Sequence, residues 1–214
     1  MTHQDEQLNI GIYIYENAEV LDFSGPFEVF STANRLNNQT SRLNVFLIGE
    51  TDSPIKARGG FCVTPKYNIC THPKLDLLIV VGGVHNEEIQ KTNIIHWLQH
   101  QACKVAIVAS VCTGAFLLAE AGILKNYQTT TLWSDIAEFR QQYPDIPIID
   151  KVRWVDNQNV ITSAGISAGI DMSLHLVSRL CCQQLALSTA KQMEFLWTNT
   201  GNNYLKKENQ YAAT

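Results

Sequence analysis

Cys112 has the surroundings of a nucleophile. A β-rich apolar run, Lys104-Val105-Ala106-Ile107-Val108-Ala109-Ser110-Val111, leads into it, and a helix-forming run, Thr113-Gly114-Ala115-Phe116-Leu117-Leu118-Ala119, follows. A thiol between the two stands on a sharp strand-to-helix turn, which lifts a side chain out of a sheet and against a helix N-terminus. Backbone N–H groups and the positive end of the helix dipole there favour a thiolate. A small buried core residue is the commonest fate of cysteine. Its place at the C-terminal end of a buried strand, where open α/β sheets put their sites, argues for chemistry instead. The other five cysteines lack this context, and no pair has CxxC or zinc-ribbon spacing.

Two further segments are placed to serve that thiol. Gly82-Gly83-Val84 follows another buried strand and reads either as an ordinary loop or as backbone N–H donors to a ligand. Asp22 lies past the end of the first strand, just before the first helix. It reads either as a turn or capping carboxylate or as a proton carrier beside the thiol, with a raised pKa if it faces sulfur. His96, His100 and Cys103 have metal-ligand spacing on a helix, but Ile94, Ile95, Leu98 and Ala102 occupy the opposite arc, so the three fall on a solvent face. His72, His85 and His175 have no spacing that identifies a base. No metal site and no cofactor motif is visible: GxGxxG and the P-loop are both missing.

The elements that must position these residues alternate. Strands are expected over Leu8–Tyr15, Leu43–Ile48, Leu75–Val81 and Val105–Ala109, with a short strand at Thr129–Thr131. Two short strands around Gly59-Gly60 and a hairpin of Val152–Val155 with Val160–Thr162 complete the set. Helices are expected from Ser24-Gly25-Pro26 to Arg35, over Glu87–Gln101, Thr113–Ala121 and Ser134–Gln142, and in two closing stretches, Ser167–Gln184 and Leu187–Leu196. This order predicts an α/β fold, a mostly parallel central sheet with helices on both faces. No repeat, linker or composition break divides the 214 residues, so one domain with a polar tail from about residue 198 is expected.

Composition excludes several classes. A net charge of −4 gives no case for nucleic acid, and no apolar run is long enough for a membrane helix. No secretory signal is visible at the N-terminus, and free cysteines without disulfide spacing point to a cytoplasmic location. The tail after Trp197 is expected to be too short for a helix-turn-helix domain.

These residues resemble the ThiJ/PfpI superfamily, with its class I glutamine amidotransferase-like, flavodoxin-like sandwich. Within it they are most similar to the isocyanide hydratase branch. The resemblance runs from about residue 8 to residue 203. It rests on Val20-Leu21-Asp22-Phe23-Ser24-Gly25-Pro26-Phe27-Glu28-Val29, Gly82-Gly83, Ser110-Val111-Cys112-Thr113-Gly114, Thr130-Thr131-Leu132-Trp133 and Ser163-Ala164-Gly165-Ile166-Ser167-Ala168-Gly169-Ile170-Asp171. It implies Cys112 as nucleophile, Asp22 as the acid hydrogen-bonded to it, Thr113 beside it, and a pocket with Gly82, Gly83, Leu132, Trp133 and Ile166. It also implies a homodimer acting on a small molecule without metal or cofactor. Amidase- and protease-like members carry Cys-His at the elbow, where this chain has Cys112-Thr113, and related sequences often carry histidine where this chain has Leu132. Both differences argue against amide hydrolysis and make the pocket more apolar. What remains is hydration of an isocyanide to an N-substituted formamide through a Cys112 thioimidate. A methylglyoxal-type carbonyl enzyme and an oxidative-stress or ligand sensor with a low-pKa thiol are the alternatives.

Overall fold

A computed structural model describes residues 7–37 and 42–199. Among these residues the central sheet has seven strands: β1 (Gln7–Tyr13), β2 (Arg42–Gly49), β5 (Tyr67–Asn68), β6 (Leu77–Val80), β7 (Ile107–Val111), β8 (Trp154–Asp156) and β9 (Val160–Ser163). Their spatial order is β5-β2-β1-β6-β7-β9-β8, parallel throughout except for the β8–β9 hairpin. A separate antiparallel pair, β3 (Ile55–Lys56) and β4 (Cys62–Val63), turns through Gly59 and Gly60. The chain steps from β1 to β2 on one side and later returns to lay β6 on the other. The sheet therefore has a switch point between β1 and β6, and a crevice opens beyond their C-terminal ends.

The apolar runs explain the layering. Every residue of β6 and β7 is buried, because helices cover both faces of a parallel sheet. On one face α1 (Val20–Leu36), α5 (Ala168–Leu180) and α6 (Gln183–Gln192) pack together. On the other lie α2 (Thr92–Ala102) and α3 (Gly114–Glu120), with α4 (Ile136–Gln142) set against α3 through Phe139 on Phe116. Full burial of a side chain such as Phe116 contributes about 1.5–3 kcal/mol.

Several boundaries differ from expectation. The first helix begins at Val20, and Pro26 lies inside it, where the sequence suggested a first helical position. A tertiary bond, Glu19 N–H to the Gly82 carbonyl at 2.9 Å, starts the helix early, and Asp22 N–H closes its first turn on the Glu19 carbonyl at 3.1 Å. Asp22 is thus a first-turn residue of α1, not a residue ahead of it. The second helix begins at Thr92, because Glu88–Gln90 forms a 3-10 turn. Thr129–Thr131 is no strand: Thr129 makes one bridge, to Ile148, Thr130 N–H donates to the Thr162 hydroxyl, and the Thr131 hydroxyl donates to the Cys112 carbonyl. The strand before the cysteine runs over 107–111, shifted two residues toward the elbow. The helix expected to reach Gln184 ends at Leu180, and α6 starts anew at Gln183. The tail beyond residue 199 lies outside the described residues.

Candidate active site

Cys112 occupies the turn between β7 and α3 with φ 56°, a left-handed conformation rare for a residue bearing a side chain. The turn is pinned on both sides. Cys112 N–H donates to the Ser163 carbonyl at 3.2 Å, and the Cys112 carbonyl accepts the Thr131 hydroxyl at 2.8 Å. Gly114 allows the tightness, since a Cβ there would lie 2.2 Å from the Val80 carbonyl oxygen. Hydrogen bonds on both sides and the close packing at Gly114 hold the residue in this uncommon conformation.

Asp22 reaches the same place from α1. It is fully buried; Oδ2 accepts the Gly82 N–H at 3.1 Å, while Oδ1 has no formed hydrogen bond. Burial raises its pKa from 3.8 to about 7, against the pull of the Gly82 N–H, the Cys112 thiol and the Ile166 N–H toward the ionised form. A Cβ on Gly82 would come within 2.7 Å of Cys112 Cβ and 2.8 Å of Asp22 Oδ2, so only glycine lets acid and thiol converge.

The thiol is not a ready thiolate. Burial first, then the Asp22 charge, pushes its pKa well above the usual cysteine value, and the Thr113 N–H opposes this only in part. The expected benefit of the helix N-terminus is outweighed by desolvation of a nearly buried side chain. Carboxyl and thiol therefore form a pair that holds at least one proton near neutrality.

The glycine loop also does something other than expected. Gly82 N–H is spent on Asp22, and Gly83 N–H donates to Thr113 Oγ1 at 2.9 Å while that hydroxyl donates back to the Gly83 carbonyl at 3.0 Å. These amides position the acid and the threonine rather than standing free as an oxyanion hole.

A cavity of about 330 Å³ opens over Cys112 and Thr113, with Gly83, Leu132 and Ile166 in its wall. Asp22 and Gly82 are not in its lining and sit behind the cysteine. Trp133 is 78% exposed and lines an adjoining groove of about 530 Å³ instead; Leu132 and Ile166 border both spaces. Ile166 holds φ 51°, an unusual strain for a β-branched residue.

Sequence reasoning missed four residues around the site. His85 lines the cavity, its ring 4.3 Å from that of Phe116 and its Nε2 buried without a hydrogen bond. An imidazole thus enters from the loop after β6, and the cavity is less apolar than Leu132 implied. Asp135 and Glu138 stand in the same wall. Tyr15, just past β1, buries an unbonded hydroxyl; burial first, then the charges of Glu88, Asp22 and Cys112, push its pKa above the usual tyrosine value. By contrast His72 is occupied by Trp97 Nε1 and the Pro73 carbonyl, and His175 by Asp156. His96, His100 and Cys103 are exposed, as their wheel position implied, and no metal-binding cluster occurs among the described residues.

A parallel α/β sheet with a cysteine elbow at its C-terminal edge, and a buried acid from the first helix behind it, defines a class of protein. The chain belongs to the DJ-1/PfpI family, whose model matches residues 9–179. It is 28% identical over 189 residues to isonitrile hydratase of Pseudomonas putida, covering 88% of this chain and 78% of that protein. It is also 28% identical over 171 residues to the HTH-type transcriptional regulator GbdR of Pseudomonas aeruginosa, covering 80% of this chain. The chain spans about half of that regulator's length, 46%. A THiJ/PfpI family protein from Pseudomonas syringae superimposes with a TM-score of 0.79 at 24% identity, over 94% of this chain and 80% of that one. Among the described residues, no helix is long and apolar enough to cross a membrane.

Proposed function

We propose that this chain is a cysteine-dependent hydro-lyase that adds water to a small electrophilic carbon, with an isocyanide as substrate and an N-substituted formamide as product. One observation carries the reading: a strained, almost fully buried Cys112 backed by a buried Asp22 whose pKa is raised to about 7. Such a pair hands one proton between oxygen and sulfur at neutral pH. The Asp22 carboxylate takes the thiol proton as Sγ bonds to the terminal isocyanide carbon. That proton is returned to the same carbon, giving the thioimidate R–N=CH–S–Cys112. Water then adds to the C=N carbon, its proton passing by way of Asp22 to nitrogen. The C–S bond breaks, the hydroxyl proton returns to sulfur, and R–NH–CHO departs with the thiol restored. Thr113 fixes the Gly83 loop beside the sulfur. No step calls for a metal or an organic cofactor. A homodimer in the cytoplasm belongs to the same reading, and light scattering checks the dimer.

Parallel assays with an aromatic isocyanide and methylglyoxal test the substrate. Formamide production without methylglyoxal consumption supports hydration; the reverse assigns the site to reactive carbonyls.

One observation favours a second reading, ligand binding without turnover. The thiol pKa lies above the ordinary value, so Cys112 rests protonated. The same fact counts against an oxidation sensor, which needs a low-pKa thiol. Binding of either compound without product would support this second reading.

A further inference from the structure

The cavity over Cys112 has a charge imbalance that neither proposed reaction requires. Glu19, Asp135 and Glu138 line it against a single guanidinium, Arg58. Arg58 is already committed to Glu19, at 3.5 Å. Among the described residues, Asp135 accepts only the neighbouring Ser134 hydroxyl at 3.4 Å, and Glu138 only the Gln142 amide at 2.9 Å. No cation among the described residues forms an ion pair with either.

A second, independent feature lies in the wall of the same space. His85 is 5% exposed, lines the cavity and buries Nε2 without a partner. A buried polar atom left unpaired costs about 1–3 kcal/mol, so a ligand that supplies its partner gains that amount. The Phe116 ring fixes the imidazole plane. The ring's backbone contact is to Gly83, which favours a proton on the facing nitrogen and leaves Nε2 as an acceptor. Burial keeps the ring neutral in spite of the nearby Glu138 and Asp135.

We infer that the cavity selects small molecules carrying a protonated amine, whose charge is met by Asp135 and Glu138 and one of whose N–H groups donates to His85 Nε2. An N–H is essential to this arrangement. A quaternary ammonium satisfies the carboxylates but leaves Nε2 bare. A neutral alcohol meets Nε2 but not the charge, and an anion is repelled. The inference deepens the proposed function by naming the group at the far end of the substrate. It rests on that reading only for the shared cavity.

Calorimetric binding to the full chain, without turnover, keeps the two claims apart. The probes are benzylamine, benzyltrimethylammonium, benzyl alcohol and benzoate. The expected order is benzylamine first, benzyltrimethylammonium weaker, and the alcohol and benzoate weakest. Asp135→Asn and Glu138→Gln should each weaken benzylamine roughly tenfold, as for lost charge-assisted hydrogen bonds. His85→Phe keeps the stack on Phe116 and should erase the preference for benzylamine over the quaternary ion. Should that variant fail to fold, the two carboxylate variants still decide, since both side chains are only partly buried or exposed. Equal binding of alcohol or benzoate, equal binding of the quaternary ion to wild type, or no binding of benzylamine at millimolar concentration overturns the inference. None of these outcomes bears on whether an isocyanide is hydrated, and a failed hydration assay leaves this order of binding untouched.

Discussion

Replacing Asp22 with Asn should stabilise the protein at neutral and alkaline pH, by an amount that depends on pH in a defined way. The carboxyl is fully buried, and its pKa rises from 3.8 to about 7 on folding. Below about pH 4 it is protonated in folded and unfolded chains alike, so its burial carries no charge penalty. Between about pH 4 and pH 7 the unfolded chain releases this proton while the folded chain keeps it. Stability then falls by about 1.4 kcal/mol per pH unit, and above about pH 7 the loss stays constant. At about 1.4 kcal/mol for each tenfold change in acidity, the rise amounts to at most about 4 kcal/mol. The Asp22→Asn change removes the charge, keeps nearly the same shape and retains an oxygen for the Gly82 N–H.

The assay is urea denaturation of wild type and Asp22→Asn across a series of pH values, with the difference in unfolding free energy plotted against pH. Contributions of other titrating groups cancel in that difference. It should climb in favour of the variant from about pH 4, level off just above pH 7, and gain a few kcal/mol in between. A difference that stays flat, or that moves in favour of wild type as pH rises, would refute the claim that Asp22 is desolvated and raised. The gain in stability should come with a loss of activity, the expected trade at a site held under strain.

Three other outcomes follow from the same geometry. Turnover should rise with pH along a limb centred near 7, where Asp22 ionises and can accept the thiol proton; a pH-rate profile lacking that limb counts against the shared proton. Gly82→Ala forces a Cβ against Thr113 N, Cys112 Cβ and Asp22 Oδ2, all closer than 3 Å; it should cost about 1–3 kcal/mol in denaturation and most of the activity. Thr131→Val leaves the Cys112 carbonyl without its hydroxyl donor and should lower stability by about 1–3 kcal/mol, measured by urea unfolding.

The sheet was legible because its central strands are continuous apolar runs ending in punctuation: Leu77–Val80 before Gly82-Gly83, and Ile107–Val111 before Cys112. Local pattern misled where a long-range contact decides. Ser24-Gly25-Pro26 has the look of a helix start, yet the bond from Glu19 to Gly82 begins the helix four residues earlier and carries Asp22 into its first turn. The two-residue strand Tyr67–Asn68 pairs only at the edge and has too few residues to show a period. Within the site, Cys112, Thr113, Leu132 and Ile166 do share a cavity with Gly83, whereas Trp133 turns outward. His85 gave no signal because an isolated histidine a few residues past a strand has no periodicity. Only its position on the C-terminal edge of β6, beside Gly82-Gly83, could have singled it out. The direction of the thiol shift was also beyond the sequence. A helix N-terminus argues for thiolate, but the depth of burial and the facing carboxylate, which prevail, are properties of the assembled fold.

The central claim is that Cys112, with Asp22 behind it, forms a bond to the substrate carbon and releases it as a formamide. The most direct test incubates wild type and Cys112→Ala with an aromatic isocyanide in oxygen-18 water and follows the product by mass spectrometry. Wild type should yield labelled N-aryl formamide and Cys112→Ala none. Formamide from Cys112→Ala at the wild-type rate, or no formamide from wild type, would contradict the account.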